Sequence, residues 1–146
     1  MIAGPASCEK ITMDGKGVPI VDYGYFPPKD MSNEGVSYTD KPGYTYVGKH
    51  ENAVATSQQG LAYYSQYESG NQTAGKLFLN CADWLVENAI VKGNYSVWEY
   101  NFTSYAYRDL PLPYVSGMAQ GLGVNVLANA YNMTVTRNTF LQQIKL

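Results

Sequence analysis

Residues 111–131 read Pro-Leu-Pro-Tyr-Val-Ser-Gly-Met-Ala-Gln-Gly-Leu-Gly-Val-Asn-Val-Leu-Ala-Asn-Ala-Tyr. A proline-bounded entry is followed by Ser116 and then by apolar residues at helical spacing. Ser116 is placed as the N-cap, because its hydroxyl can accept a hydrogen bond from a free first-turn N–H. The stretch therefore predicts a helix near residues 115–132. Its predicted apolar face consists of Val115, Met118, Ala119, Leu122, Val126, Leu127 and Ala130.

Three glycines interrupt this helical pattern, at Gly117, Gly121 and Gly123. Each costs about 1 kcal/mol relative to alanine inside a helix. Their presence indicates close packing against a neighbour or a close ligand. The free N–H groups of the helix start, with Ser116 and Gln120 nearby, also suit an anion such as a carboxylate. Two interpretations stay open: a buried helix with a serine cap, or a helix end that receives an anion.

The same stretch resembles a known family. Tyr-Val-Ser-Gly-Met-Ala-Gln-Gly at 114–121, followed by Val-Leu-Ala-Asn-Ala-Tyr at 126–131, is similar to the signature of the D-glucuronyl C5-epimerase C-terminal domain. Two further blocks agree with that family: Ser-Gln-Gln-Gly-Leu within 53–64, and Asp-Trp-Leu within 82–88. The three blocks lie within residues 15–135, so the resemblance covers most of the chain.

The resemblance implies a mainly α fold, in which antiparallel helical hairpins form part of an α/α toroid. Residues 1–51 are rich in glycine and proline, which predicts loops and short β-hairpins, with strands near 10–13, 18–23 and 44–47. Residues 52–146 are the predicted helical portion. Helices are expected near 53–69 and 72–91 and in the opening stretch, with a fourth through Phe140, Leu141 and Ile144.

The second predicted helix has the clearest amphipathic pattern in the chain. Its stripe consists of Ala74, Leu77, Phe78, Cys81, Trp84, Leu85 and Asn88. This pattern predicts Trp84 as the core anchor, with a cost of about 3–5 kcal/mol for Trp84→Ala. The first helix has a weaker stripe of Val54, Ser57, Gln58, Leu61, Tyr64 and Glu68. Since a partial toroid leaves an apolar face without its neighbour, self-association into a homo-oligomer is expected.

The family's activity inverts C5 of a glucuronate unit in a polysaccharide and needs no cofactor. The reaction requires a base on one face of the sugar, an acid on the other, and stabilisation of an enolate-like intermediate. The family uses a Glu–Tyr pair and a further Tyr that lie beyond the Ser-x-Met-Ala-Gln-Gly block. No positions of this chain match them, so the catalytic residues are unassigned and the chain alone is expected to be inactive.

Cleft-lining positions can be carried over by resemblance. The implied substrate-binding residues are Asp22, Tyr23, Gln58, Phe102, Tyr105, Ser116 and Gln120. In this hypothesis Ser116 and the helix start receive the uronate carboxylate, and the two glutamines bond sugar hydroxyls. Departures from the family pattern are Tyr114 at the family's aromatic Trp position, Gln59 in place of a Tyr, and Asn129 in place of an Arg.

Composition narrows the function classes. Tyrosine is abundant, with 14 against 4 Phe and 2 Trp. This suits contacts with sugars or proteins, but it is also typical of a core that is only partly shielded from water. The net charge is −2 with scattered Lys and Arg, which argues against nucleic-acid binding. No apolar run is long enough to span a membrane, and no signal-peptide pattern appears at the start as written. Two cysteines and one histidine indicate neither a disulfide framework nor a zinc site.

Four Asn-x-Ser/Thr triplets provide candidate glycosylation sites at Asn71, Asn94, Asn101 and Asn132. They favour an extracytoplasmic location, although chance occurrence explains them equally well. Three interpretations therefore remain. The chain is a C5-epimerase-like domain for a uronic-acid polysaccharide, a non-catalytic carbohydrate-binding or extracellular structural module, or the product of a truncated reading frame.

Overall fold

The computed structural model describes the backbone of residues 10–144, and side chains at these positions except 32 and 136–144. The expectation of a mainly helical toroid is wrong. The fold is mixed, with 48% helix and 20% strand, and its strands pair in several small antiparallel sheets. The strands predicted near 10–13, 18–23 and 44–47 are present as segments of two to four residues, and further short strands lie between residues 90 and 115.

Three α-helices occur in the described chain: α1 at Ala53–Glu68, α2 at Gln72–Asn88 and α3 at Gly117–Ile144. Their starts agree with the predicted helices to within two residues. α3 is a single helix, so the expected fourth helix is its continuation; the side chains of Phe140, Leu141 and Ile144 lie outside the described ones. Cys8 also lies outside the described residues.

α1 and α2 form a helical hairpin, since only three residues separate them. Asn71 in this turn caps α2, because its Oδ1 accepts a bond from the N–H of Ala74 at 3.2 Å. The two helices approach closely at Gly60, where an added Cβ would lie 3.1 Å from Cβ of Cys81 and 3.7 Å from Val126. A glycine at this point therefore lets all three helices meet.

α3 packs against the buried Trp98 through Gly123. A Cβ at Gly123 would lie 2.5 Å from the indole ring, so only glycine fits without displacement. Trp98 is held from several sides. Its Nε1–H donates to the carbonyl of Leu85 at 2.8 Å, and the side-chain amide of Gln120 bonds both its N–H and its carbonyl, at 3.1 and 2.9 Å.

The N-terminal third forms β-structure that rests on the helical hairpin. Its strands are β1 Lys10–Met13, β2 Pro19–Asp22, β3 Tyr25–Phe26, β4 Thr45–Tyr46 and β5 Lys49–His50. β1, β2 and β5 make an antiparallel sheet, and β3 pairs with β4. Asp14 closes the turn after β1, with its Oδ1 accepting from the N–H groups of Lys16 and Val18. This turn docks on α1 through the Tyr63 hydroxyl, which donates to the Gly17 carbonyl at 2.9 Å.

A second strand region separates α2 from α3. It contains β6 Ile90–Lys92, β7 Tyr95–Val97, β8 Glu99–Tyr100 and β9 Tyr114–Val115, with β6 paired to β7 and β8 to β9. The prediction that α2 continues to residue 91 is therefore wrong. β-branched Ile90 and Val91 leave the helix for a hairpin whose turn contains Gly93 at φ +66°.

The buried faces differ in part from the predicted stripes. α2 buries Phe78, Cys81 and Leu85 completely, but Trp84 is only half-buried and is not the core anchor. α1 instead buries mostly small residues, namely Ala53, Thr56, Ser57, Gly60 and Tyr63. α3 buries Ala119 and Val126, whereas Val115 and Met118 are exposed. Helical spacing predicts which side of a helix is apolar, but the neighbouring elements determine which residues on that side are buried.

Candidate functional site

A cleft of about 340 Å³ lies where the starts of α1 and α3 meet β2 and the segment 100–116. Both helices present their N-terminal residues to it. The lining residues are apolar, aromatic or neutral polar: Ile11, Val21, Tyr23, Asn52, Val54, Ala55, Gln58, Tyr100, Ser104, Tyr107, Tyr114, Ser116 and Met118. Four of these described residues are tyrosines and none is charged. The cleft therefore combines aromatic surface with amide and hydroxyl groups.

Asn52 organises the floor of the cleft. It is 7% exposed and caps α1, since its Oδ1 accepts from the N–H of Ala55 at 2.8 Å. Its side-chain amide donates to the Tyr23 hydroxyl at 2.8 Å, and its Oδ1 also accepts from the Tyr100 hydroxyl at 3.2 Å. One buried amide thus orients two tyrosines, and it satisfies the polar groups that burial would otherwise leave unpaired.

Tyr100 and Tyr114 form a stacked pair on one side of the cleft. They face each other across the β8–β9 ladder, with ring centroids 5.2 Å apart and planes 9° from parallel. Burial raises the pKa of Tyr100 to about 12, and burial also raises the pKa of Tyr114. Both hydroxyls stay protonated at neutral pH, so they serve as hydrogen-bonding groups and aromatic surface.

Three of the residues implied by resemblance line this cleft. Gln58 is exposed on α1, and Tyr23 follows β2. Ser116 stands at the start of α3, where its Oγ accepts from the N–H of Ala119 at 3.3 Å, so the predicted N-cap is confirmed. Phe102 lies behind the lining: its ring is stacked on His50 at 4.1 Å and packs on Tyr23 at 5.1 Å.

The other three implied residues are engaged elsewhere. Gln120 bonds the backbone of Trp98, so its amide holds a buried strand residue. Asp22 accepts from the N–H of Gly24 at 3.0 Å. Tyr105 packs edge-to-face on Phe26, with ring centroids 5.3 Å apart. Spacing along the chain could not distinguish these residues from those of the cleft, because sheet pairing and loop path decide the difference.

Sequence reasoning did not select Asn52, Tyr100, Tyr107 or Tyr114 as site residues. Asn52 had a usable signal, since an Asn immediately before a helical pattern is a typical N-cap and helix starts often bind ligands. The tyrosines had none beyond the high tyrosine content. Tyr100 and Tyr114 are 14 positions apart and meet only through the pairing of β8 with β9.

A second, larger groove of about 1000 Å³ runs between the β1–β2 turn, β5 and α2. Lys16, Lys49 and Lys76 line it together with Asp14, Glu51, Asp83 and Glu87, and Trp84 contributes the aromatic surface. Three positive and four negative side chains line the groove, so their charges largely cancel for a ligand of either sign. The half-burial of Trp84 follows from its position in this open groove.

Three further expectations concern metals, membranes and glycosylation. Within the described residues, no three His, Cys, Asp or Glu side chains come together as a metal site. No helix in residues 10–144 is both long and apolar enough to cross a membrane. Asn71, Asn94, Asn101 and Asn132 are all exposed, although the Asn71 side chain is occupied as the cap of α2.

Comparison of the chain with protein-family models, with curated proteins and with solved structures finds no match. The resemblance to the C5-epimerase family therefore rests on the three sequence blocks alone.

Proposed function

We propose that this chain binds an oligosaccharide containing uronic acid in the tyrosine-lined cleft, as a non-catalytic carbohydrate-binding module. The observation that carries the proposal is the composition of the cleft: four tyrosines and the neutral polar groups Asn52, Gln58, Ser104 and Ser116 surround about 340 Å³. A sugar ring has apolar C–H faces and a rim of hydroxyls, so it is matched by aromatic surface beside neutral donors and acceptors.

Tyr107 and Gln58 support this proposal because they are exposed members of the cleft that carry hydrogen-bonding groups. Tyr107 is 59% exposed and Gln58 is also exposed, so both reach a ligand without rearrangement of the core. Tyr23 and Tyr100 are fixed by Asn52 from behind. Because the buried tyrosines are already ordered in the free protein, binding costs less conformational entropy.

The start of α3 supports an acidic sugar. Its first-turn N–H groups have no carbonyl partner inside the helix, although Ser116 Oγ already accepts from that of Ala119, and the helix dipole places partial positive charge at this end. Ser116 and Met118 bring this end to the cleft, and no described lining residue carries a negative charge to repel a carboxylate. The absence of an Arg or Lys in the lining favours modest affinity over tight anion binding.

The tyrosines argue for binding and against epimerisation. A general base for C5 works best with a pKa near the operating pH. The pKa of Tyr100 is raised to about 12 and that of Tyr114 is also raised, both chiefly by burial, so neither is a competent tyrosinate. We therefore infer that the cleft holds a uronate without removing its C5 proton.

The isolated chain is expected not to exchange the C5 hydrogen of glucuronate units with solvent deuterium. Binding alone does not lower the barrier to proton removal, because only groups that act in the transition state do so. Mass spectrometry of an oligoglucuronate incubated in D₂O measures this directly. Protein-dependent deuterium at C5 would establish the C5-epimerase alternative, and Tyr23 and Tyr105 would then be the first residues to replace.

Replacing Tyr107 with alanine is expected to weaken binding of an oligoglucuronate about two- to twelvefold, since an aromatic contact contributes about 0.5–1.5 kcal/mol. Its exposure predicts little change in stability. Tyr131→Ala is the matched control, because Tyr131 is 69% exposed and lies on α3, about 20 Å from its start by helical rise. NMR titration or calorimetry measures both. Equal affinities of the two variants, or no binding by the wild-type chain, would contradict the proposal.

A further inference from the structure

A separate cavity of about 220 Å³ lies between β3, the segment after it and the loop that follows β8. Phe26, Pro28 and Val47 give it apolar walls, and Thr103, Lys29 and Arg108 provide its polar groups. None of these residues lines the tyrosine cleft. Thr103 and Ser104 are adjacent in sequence, yet one lines this cavity and the other lines the cleft, so the loop forms a wall between the two.

The informative group in this cavity is the Arg108 guanidinium. Its Nη2 is buried from solvent and has no hydrogen-bond partner among the described residues. A buried polar group without a partner is costly, and a charged donor is more costly than a neutral one. Native structures seldom tolerate such a group unless a ligand or water completes it. Arg108 also lines the cavity, so an acceptor placed there supplies hydrogen bonding that the described residues leave unmade.

The position of Arg108 is fixed by aromatic rings. Its guanidinium carbon lies 4.7 Å from the ring centroid of Tyr105 and 5.7 Å from that of Phe26. Such cation–π contacts hold the planar group in place. Because the two rings already restrict the Arg108 side chain, it loses little conformational entropy when a ligand binds.

Local charge favours an anion as the ligand. The carboxylate of Asp109 pairs with Lys29 at the exposed rim, where the two side chains are 83% and 68% exposed. Among the described residues the ion pairs are this one and Lys92–Glu99, so Arg108 has no carboxylate of its own. The cavity keeps one uncompensated positive charge beside apolar walls.

We propose that this cavity is a binding site for a small organic monocarboxylate whose flat apolar body lies between Phe26, Pro28 and Val47. The carboxylate accepts hydrogen bonds from Arg108, the pairing for which the guanidinium fork is suited. The apolar walls exclude a bare inorganic anion as the preferred ligand, because such an ion would leave those surfaces unfilled. The volume limits the ligand to about the size of a substituted aromatic acid.

Benzoate is a suitable probe, with benzamide as its neutral isostere and inorganic phosphate as the bare anion. Benzoate is expected to shift the amide resonances of Val47 and Thr103 saturably, with a dissociation constant on the order of 1 mM for so small a ligand. Benzamide and phosphate are expected to bind at least about tenfold more weakly, since one lacks the charge and the other the apolar body. Equal binding of benzamide or of phosphate would overturn the proposal, as would no saturable shift with benzoate.

Arg108→Gln is expected to weaken benzoate binding about tenfold to a hundredfold, because it removes the charge-assisted bonds. Lys76→Gln is the matched control: it removes one positive charge from an exposed position on α2 that does not line this cavity, and it should leave benzoate affinity unchanged. If Arg108→Gln does not fold, Arg108→Lys replaces it and is expected to weaken binding severalfold by losing the bidentate geometry. Wild-type affinity in the Arg108 variant would overturn the proposal.

Discussion

Phe78→Ala is expected to lower the free energy of unfolding by about 3–5 kcal/mol, because it leaves a cavity in the centre of the core. Phe78 is 0% exposed on α2, and its ring packs on Tyr64 at a centroid distance of 4.9 Å. Cys81 and Leu85 on the same face are also 0% exposed, so the site has little room to collapse. Urea denaturation followed by circular dichroism measures the loss.

Trp84→Ala is the matched comparison on the same helix. Helical spacing alone predicts Trp84 as the anchor, but the side chain is half-buried in an open groove. The expected loss is therefore smaller than that for Phe78→Ala, because part of the Trp84 side chain stays exposed to solvent in the folded state. A Trp84 variant that loses more stability than the Phe78 variant would show that the buried face of α2 is misplaced.

Gly123→Ala is expected to destabilise the fold by about 1–3 kcal/mol, although alanine is the better helix former. The added Cβ would lie 2.5, 2.8 and 3.0 Å from three atoms of the Trp98 ring. Trp98 cannot easily move aside, since its Nε1–H is bonded to Leu85 and its backbone to Gln120. Either the helix shifts outward or the indole leaves its hydrogen bond.

Gly121→Ala on the same helix is the control, with the opposite expected sign. A Cβ at Gly121 meets nothing within 4 Å, so the variant should gain up to about 1 kcal/mol from helix propensity alone. Thermal or chemical denaturation of the two variants side by side tests the packing of α3 on Trp98. Stabilisation by both substitutions would show that α3 does not press on the indole.

The local features of this protein follow from short-range chemistry that the sequence determines by itself. Ser116 and Asn71 cap helices because their side chains reach the first-turn N–H groups a few residues away. Asp14 closes the β1–β2 turn with its own neighbours. The positions of the three helices could be predicted for the same reason, since 3.6-residue periodicity and caps require no knowledge of distant partners.

The composition of the candidate site was decided only by tertiary structure. Gln120 and Ser116 are one helical turn apart, yet Gln120 holds Trp98 while Ser116 lines the cleft. Tyr100 meets Tyr114 through strand pairing, and Asn52 meets Tyr23 across 29 positions of sequence. The mixed fold likewise depends on ladders between strands of two to four residues. Such contacts join distant segments of the chain. The position of a residue in the sequence pattern does not reveal which distant residue its side chain will contact.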